Sequence, residues 1–264
     1  MNETQTARLR ELDGAANAAG ADPRLADDLF ALVEVIEAEP ALRRHLSDPS
    51  SPEQSRRQLI DGLFGGRVGR GALAVLVAAS SLRWGDGETL AGALERQAIR
   101  AIMADADEAG RLDDLEDQLF GVLLTVRGST ELSAALADRS RSLADRRALL
   151  RGLLADRVLP VVGTLAERAV AARRRTFELT VEGYLGLAAA QRERGIAHVR
   201  VAKPLSEVQY ARLRAALTAQ AGRPLTLEVT VDPDVLGGVR VTIGDEVIEG
   251  TVSSRLEAAR RAFT

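Results

Sequence analysis

Val231-Asp-Pro-Asp-Val-Leu-Gly-Gly-Val-Arg-Val-Thr-Ile-Gly-Asp-Glu-Val-Ile-Glu-Gly-Thr-Val252 holds the densest turn and strand chemistry in the chain. Asp232-Pro233 and Gly237-Gly238 punctuate it. Val239, Val241 and Ile243 then alternate with Arg240 and Thr242, the two-residue period of a half-buried strand. Gly244-Asp245 stands where a tight hairpin turn needs positive φ, and Val247-Ile248 begin the return. Beyond it, Thr251 or Ser253 caps a short terminal helix with Leu256, Ala259 and Phe263 on one side.

Working outward, Ala197 to Lys203 alternates like a strand. Leu205-Ser206 with Gln209 forms a capping box behind an apolar staple, and opens a helix with Tyr210, Leu213 and Leu217 on one side. Gly222 and Pro224 stop that helix. Leu225, Leu227, Val229 and Val231 alternate with Thr226, Glu228 and Thr230 as a second strand. Residues 197–264 therefore read as a strand-helix-strand-strand-helix module, a small α+β domain whose modest core calls for support from a neighbour.

These residues resemble the C-terminal signature of the delta subunit of the F-type ATP synthase, the family of the oligomycin-sensitivity-conferring protein. The match rests on Asp232, Pro233, Leu236, Gly237, Gly238, Ile243, Gly244, Asp245, Val247, Gly250 and Val252. Upstream, Pro204, Leu205, Ser206, Gln209 and Leu213 also match. Glu249 and Thr251 stand where the family favours Asp and Ser.

Residues 1–196 carry apolar residues at three- and four-residue spacing, and they repeat. At a constant offset of 90 residues, Leu29-Phe30 recurs as Leu119-Phe120, Leu46 as Leu136, Asp48 as Asp138, Arg56-Arg57 as Arg146-Arg147, Gly62-Leu63 as Gly152-Leu153, and Arg67-Val68 as Arg157-Val158. One ungapped register over so many positions is a tandem duplication. The fold class is mostly α: two tandem copies of a multi-helix bundle, then the small α+β domain. Helices are expected from Asp22-Pro23 to Glu37, from Pro40 to Leu46 and from Pro52 to Phe64, with Gly65-Gly66 stopping the last. Ala72–Leu82 reads as a helix buried all round. Residues 88–109 form one long helix shared between copies, and Thr176–Arg194 closes the second copy with Phe177, Val181, Tyr184, Leu185 and Ala188 inward. The division is 1–92, 93–196 and 197–264. The resemblance covers about 95–264, so 93–196 looks like the family's standard helical domain and 1–92 like an extra copy.

Composition excludes several function classes. The chain of 264 residues is 46% hydrophobic and 28% charged, a folded composition. Net charge is −3 and aromatics are 3%, which disfavours nucleic-acid binding by charge or by base stacking. There is no cysteine, hence no disulfide or thiolate metal site. The N-terminal residues show no targeting pattern, and the longest apolar runs, Ala72–Ala79 and Val158–Val162, fall far short of the roughly 20 residues that span a bilayer. His45 and His198 are isolated in sequence and read as structural or solvent-exposed. Gly237-Gly238 lacks the following Lys-Ser/Thr of a phosphate loop and reads as a tight turn. Arg173-Arg174-Arg175 reads as a solvated corner or as a docking site for an acidic helix or a phosphate. Asp113, Asp114, Glu116 and Asp117 read as a dipole-complementing helix start.

An interaction protein remains. The resemblance implies a non-catalytic stator subunit without cofactor or metal, peripheral at the cytoplasmic face of the cell membrane. Its helical domain would take N-terminal helices of alpha subunits, and its C-terminal domain the b subunit of the peripheral stalk, with no nucleic acid and no membrane insertion. By that analogy the alpha helix lies in a groove of the second copy, along Ile99, Ile102, Met103, Val161 and Leu165. The alternative is a free-standing helical-repeat adaptor.

Overall fold

The computed structural model describes residues 3–18, 22–84, 89–172, 175–221, 225–232, 235, 238–243 and 246–251. In chain order the helices are α1 (Glu3–Ala18), α2 (Leu25–Ala38), α3 (Pro40–Ser47), α4 (Glu53–Phe64), α5 (Arg70–Ser81), α6 (Leu90–Glu108), α7 (Leu112–Arg127), α8 (Thr130–Ala137), α9 (Leu143–Leu154), α10 (Pro160–Ala171) and α11 (Phe177–Arg194). There follow β1 (Ile196–Val201), α12 (Glu207–Ala221), β2 (Thr226–Val231), β3 (Gly238–Ile243) and β4 (Glu246–Thr251). They form two compact units, Met1–Leu187 and Ala188–Thr264.

In the first unit the duplication is visible in helix bounds and in several hydrogen bonds. Helices α3, α4 and α5 begin and end 90 residues before α8, α9 and α10. The turn after α3 is closed by the Asp48 carboxylate, which accepts from the Ser50 N–H at 2.9 Å; Asp138 accepts from Ser140 at the same distance. Arg56 donates to the carbonyl of Asp48 at 2.7 Å, and Arg146 to that of Leu136 at 3.0 Å. At the start of α5 the N–H of Gly69 is held by Asp28 on α2 at 2.6 Å, and at the start of α10 the N–H of Leu159 is held by Gln118 on α7 at 2.6 Å. These two helices have no side-chain cap of their own, so the preceding long helix supplies one. After α4 the chain passes through φ 75° at Gly66, and the equivalent residue after α9 is Asp156 at φ 57°.

Burial explains why each helix forms where it does. α2 buries Leu25, Leu29, Leu32, Val33 and Ile36 on one stripe, α3 starts on Pro40, and Thr89 caps α6 by accepting from the Gly92 N–H at 3.0 Å. α6 packs most extensively against α2. Two expectations change. α1 was not expected: it is polar but for a short stripe, and it is fixed by Leu9 and Leu12, both buried. α5 is one-sided rather than buried all round; Ala72, Val75, Leu76 and Ala79 face the core while Ala74 is exposed. Among the described residues no single helix is long and apolar enough to cross a membrane.

In the second unit a four-stranded sheet of order β2-β1-β3-β4 carries α12 on one face. β1 and β2 run parallel, as a crossover through a helix requires, with Val199 opposite Val229; β3 runs antiparallel to β1, with Val241 opposite Val199. Ala197, Val199, Val201, Leu227 and Val241 form the buried face, and Tyr210, Leu213 and Leu217 of α12 close over it. The capping box is complete: the Ser206 N–H donates to Gln209 Oε1 at 2.9 Å, and the Gln209 N–H donates to Ser206 Oγ at 3.3 Å. The short return after β3 is a full strand, β4, with Gly250 opposite Val239. The expected terminal helix, the Gly244-Asp245 turn and the stop at Gly222 and Pro224 lie outside the described residues.

Candidate interaction surfaces

The five residues expected to line a partner groove separate into two groups. Ile99 and Met103 on α6 and Leu165 on α10 are 2%, 0% and 0% exposed, whereas Ile102 and Val161 are half-buried. The first three are core side chains without surface to offer. Helical periodicity identifies an apolar stripe, and on a packed helix that stripe is the side already covered.

An open apolar groove lies elsewhere, between α2, α3, α4 and the turn after α4. Its volume is about 700 Å³; Leu32 and Phe64 form the buried floor, while Val35 and Leu63 stand on the rim at 42% and 38% exposure. Glu39, His45 and Arg67 are its polar margin. Size and lining suit the apolar face of a single helix anchored at three- and four-residue spacing. The corresponding face of the second copy is apolar too, with Leu149 at 40% exposure and Leu132 and Leu153 half-buried. The sequence places the partner groove in the second copy; this open groove, in the first copy, was not anticipated.

Two polar clusters fix the helices around these surfaces. Asp13 on α1 accepts from Gln97 at 2.7 Å and from Arg96, and pairs with Arg100 at 2.7 Å, all on α6. Burial pushes the Asp13 carboxyl up, but the bond from Arg96, the charge of Arg100 and the bond from Gln97 together hold it below its ordinary value. Nearer α10, burial pushes the Glu95 carboxyl up, with Arg168 opposing and Glu37 adding to the shift. The Tyr184 hydroxyl is buried without a hydrogen-bond partner, and its pKa is raised by burial and by Glu95. No sequence signal could have found the Asp13 cluster, because its members are 83 and 84 residues apart.

Several signature residues of the second unit have backbone or packing contacts within its sheet. Gly238 opens β3 at φ 83°, a conformation that disfavours any side chain. The Asp232 N–H donates to the Val201 carbonyl at 2.9 Å and so ends the β1–β2 pairing, while Leu205 and Ile243 pack on the core from its margin. Pro204 and Ser206 are exposed at the start of α12. Pro233, Gly237, Gly244 and Asp245 lie outside the described residues, as do Arg173 and Arg174. His198 stands between Glu193 at 3.4 Å and Glu228 at 3.1 Å on the exposed face of the sheet, and His45 is on the groove margin. Among the described residues no three His, Asp or Glu side chains converge to hold a metal.

A bundle with open apolar grooves, joined in one chain to a small sheet module, offers surfaces for binding. The family model for the ATP synthase delta (OSCP) subunit matches residues 99–263. The chain belongs to that family. Curated relatives carry the name ATP synthase subunit delta. That of a Nocardioides species is 46% identical over 239 residues, 90% of this chain and 86% of the relative. That of Cutibacterium acnes is 39% identical over 98% of both chains, and that of Streptomyces coelicolor 40% identical over 98% of this chain and 95% of the relative. The region before residue 99 is thus shared with relatives of matching length. Delta subunits are non-catalytic, and this member of the family is not an enzyme by itself. It is a peripheral part of the membrane-bound ATP synthase.

Proposed function

We propose that this chain is a stator of the peripheral stalk, joining the catalytic head of a proton-translocating ATP synthase to its membrane-anchored b subunit and holding the head still against rotor torque. The family match over 99–263 carries this reading. Two compact units, one with an open apolar groove, support it: a passive bridge needs separate grips and no chemistry. The grip on the head is the second helical copy, residues 93–196, which receives the N-terminal helix of an alpha subunit along the half-buried Ile102 and Val161, with Ile99, Met103 and Leu165 as the core behind them. The small domain, 197–264, grips the b subunit at the cytoplasmic face of the membrane. Residues 1–92 are an additional copy with a groove of its own.

Affinity purification of the tagged chain from detergent-solubilised membranes tests this reading. Alpha and b subunits should be recovered together, and Ile102→Asp with Val161→Asp should lose alpha while keeping b. Recovery of neither subunit would refute the stator role, and loss of b instead of alpha would reverse the assignment of the two grips.

A further inference from the structure

The two helical copies meet through a contact that defines its own chemistry. Phe30 on α2 is 2% exposed. The Arg168 guanidinium of α10, from the other copy, lies 4.1 Å from the centre of the Phe30 ring and pairs with Glu34 at 3.0 Å. The ring face supplies the negative quadrupole and Glu34 the counter-charge. At the 90-residue offset, Phe30 becomes Phe120 and Glu34 becomes Leu124. After α11 the chain turns to strand at Ile196 instead of supplying a third copy. Phe120 is accordingly 47% exposed and Leu124 51%.

Terminal repeats in stacked folds ordinarily carry a polar outer face that keeps them soluble. Here the exchange runs the other way, from Glu34 to Leu124, so the terminal face is more apolar than the internal one. Phe120 and Leu124 are four apart on α7 and share a stripe with Asp117 and Asp114, both exposed, one and two turns nearer the N-terminus. The face is thus apolar at one end and acidic at the other.

We propose that this outer face of α7 docks a basic amphipathic α-helix of another subunit. Its Arg or Lys lies over Phe120 as Arg168 lies over Phe30, an apolar residue covers Leu124, and further cations meet Asp117 and Asp114. A second copy of this chain is a poor occupant, because its Arg168 is already engaged with its own Phe30 and Glu34. That the partner is a subunit of the same assembly rests on the stator reading above.

The test uses membranes stripped of this chain and then re-bound with the purified full chain. Phe120→Ser with Leu124→Ser should weaken re-binding about tenfold or more, consistent with the loss of two interfacial apolar anchors, while the melting temperature stays near that of the unaltered chain. Re-binding should weaken with rising salt, and Asp114→Asn with Asp117→Asn should flatten that dependence. A photo-reactive benzoylphenylalanine at position 120 should cross-link, in the assembled complex, to a helical segment rich in Arg or Lys. If the unaltered chain does not re-bind, the stator reading itself fails. If it re-binds and the serine variant does so equally well, or the cross-link falls on lipid, on a second copy of this chain or on an acidic segment, this inference is overturned and the stator reading stands.

Discussion

Asp13→Ala removes the acceptor on which α1 and α6 converge. The carboxylate is 9% exposed and faces Arg96, Gln97 and Arg100, the last two at 1% and 8% exposure. Truncation leaves two guanidinium groups and an amide partly or wholly buried without their shared acceptor. Breaking a buried pair from one side costs about 3–5 kcal/mol. The side chain of Arg96 is 25% exposed and regains water, which argues for the lower end, about 3 kcal/mol. In a helical unit spanning Met1–Leu187, that lowers the melting temperature by about 6–12 °C. Asp13→Ala with Arg100→Met should recover part of the loss, because the second change removes a charge that the first has stranded. The folded-state pKa of Asp13 lies below the ordinary 3.8, so its contribution is complete above that pH and is lost as pH falls through the folded value. Thermal melts followed by circular dichroism, between pH 7 and pH 3, measure both effects. A loss under about 1 kcal/mol at pH 7, or a loss that does not shrink as pH falls below 3.8, would refute the reasoning.

Three further changes follow from the same geometry. Glu95→Gln should raise the melting temperature at pH 7: burial raises the folded-state pKa of Glu95 above 4.5, so the native chain is destabilised as pH rises through that window, and thermal melts of the variant should lack that slope. Gly66 has open space where a Cβ would stand but lies at φ 75°; Gly66→Val should cost about 1–2 kcal/mol in urea titration and Gly66→Asp less, because Asp156 already occupies the same turn at φ 57°. Ser206→Ala breaks one half of the capping box and should cost the second unit about 1 kcal/mol, read as faster amide exchange at the start of α12.

Much of this fold was legible because its signals are local. Pro40, Pro52 and the Ser206–Gln209 box fixed helix starts within a residue or two, and the strict 90-residue offset implied that whatever one copy did, the other would repeat. α1 escaped because its few apolar residues give a weak stripe; its place comes from Leu9, Leu12 and the Asp13 cluster, all contacts across the bundle. How the expected groove residues divide between core and surface was not legible, for a related reason. Ile99, Met103 and Leu165 announce a buried face as loudly as an open one, and only packing tells which has been covered. The groove at Val35 and Leu63 depends on the angle at which α3 and α4 leave α2, and the exposure of Phe120 depends on a third copy that the chain does not supply.

Membranes stripped of this chain test the clamp most directly. ATP hydrolysis by the head should persist, ATP-driven proton pumping should fall to background, and the purified chain, inert towards ATP alone, should restore pumping. Full coupling without the chain, or turnover of ATP by the chain in isolation, would contradict a passive stator.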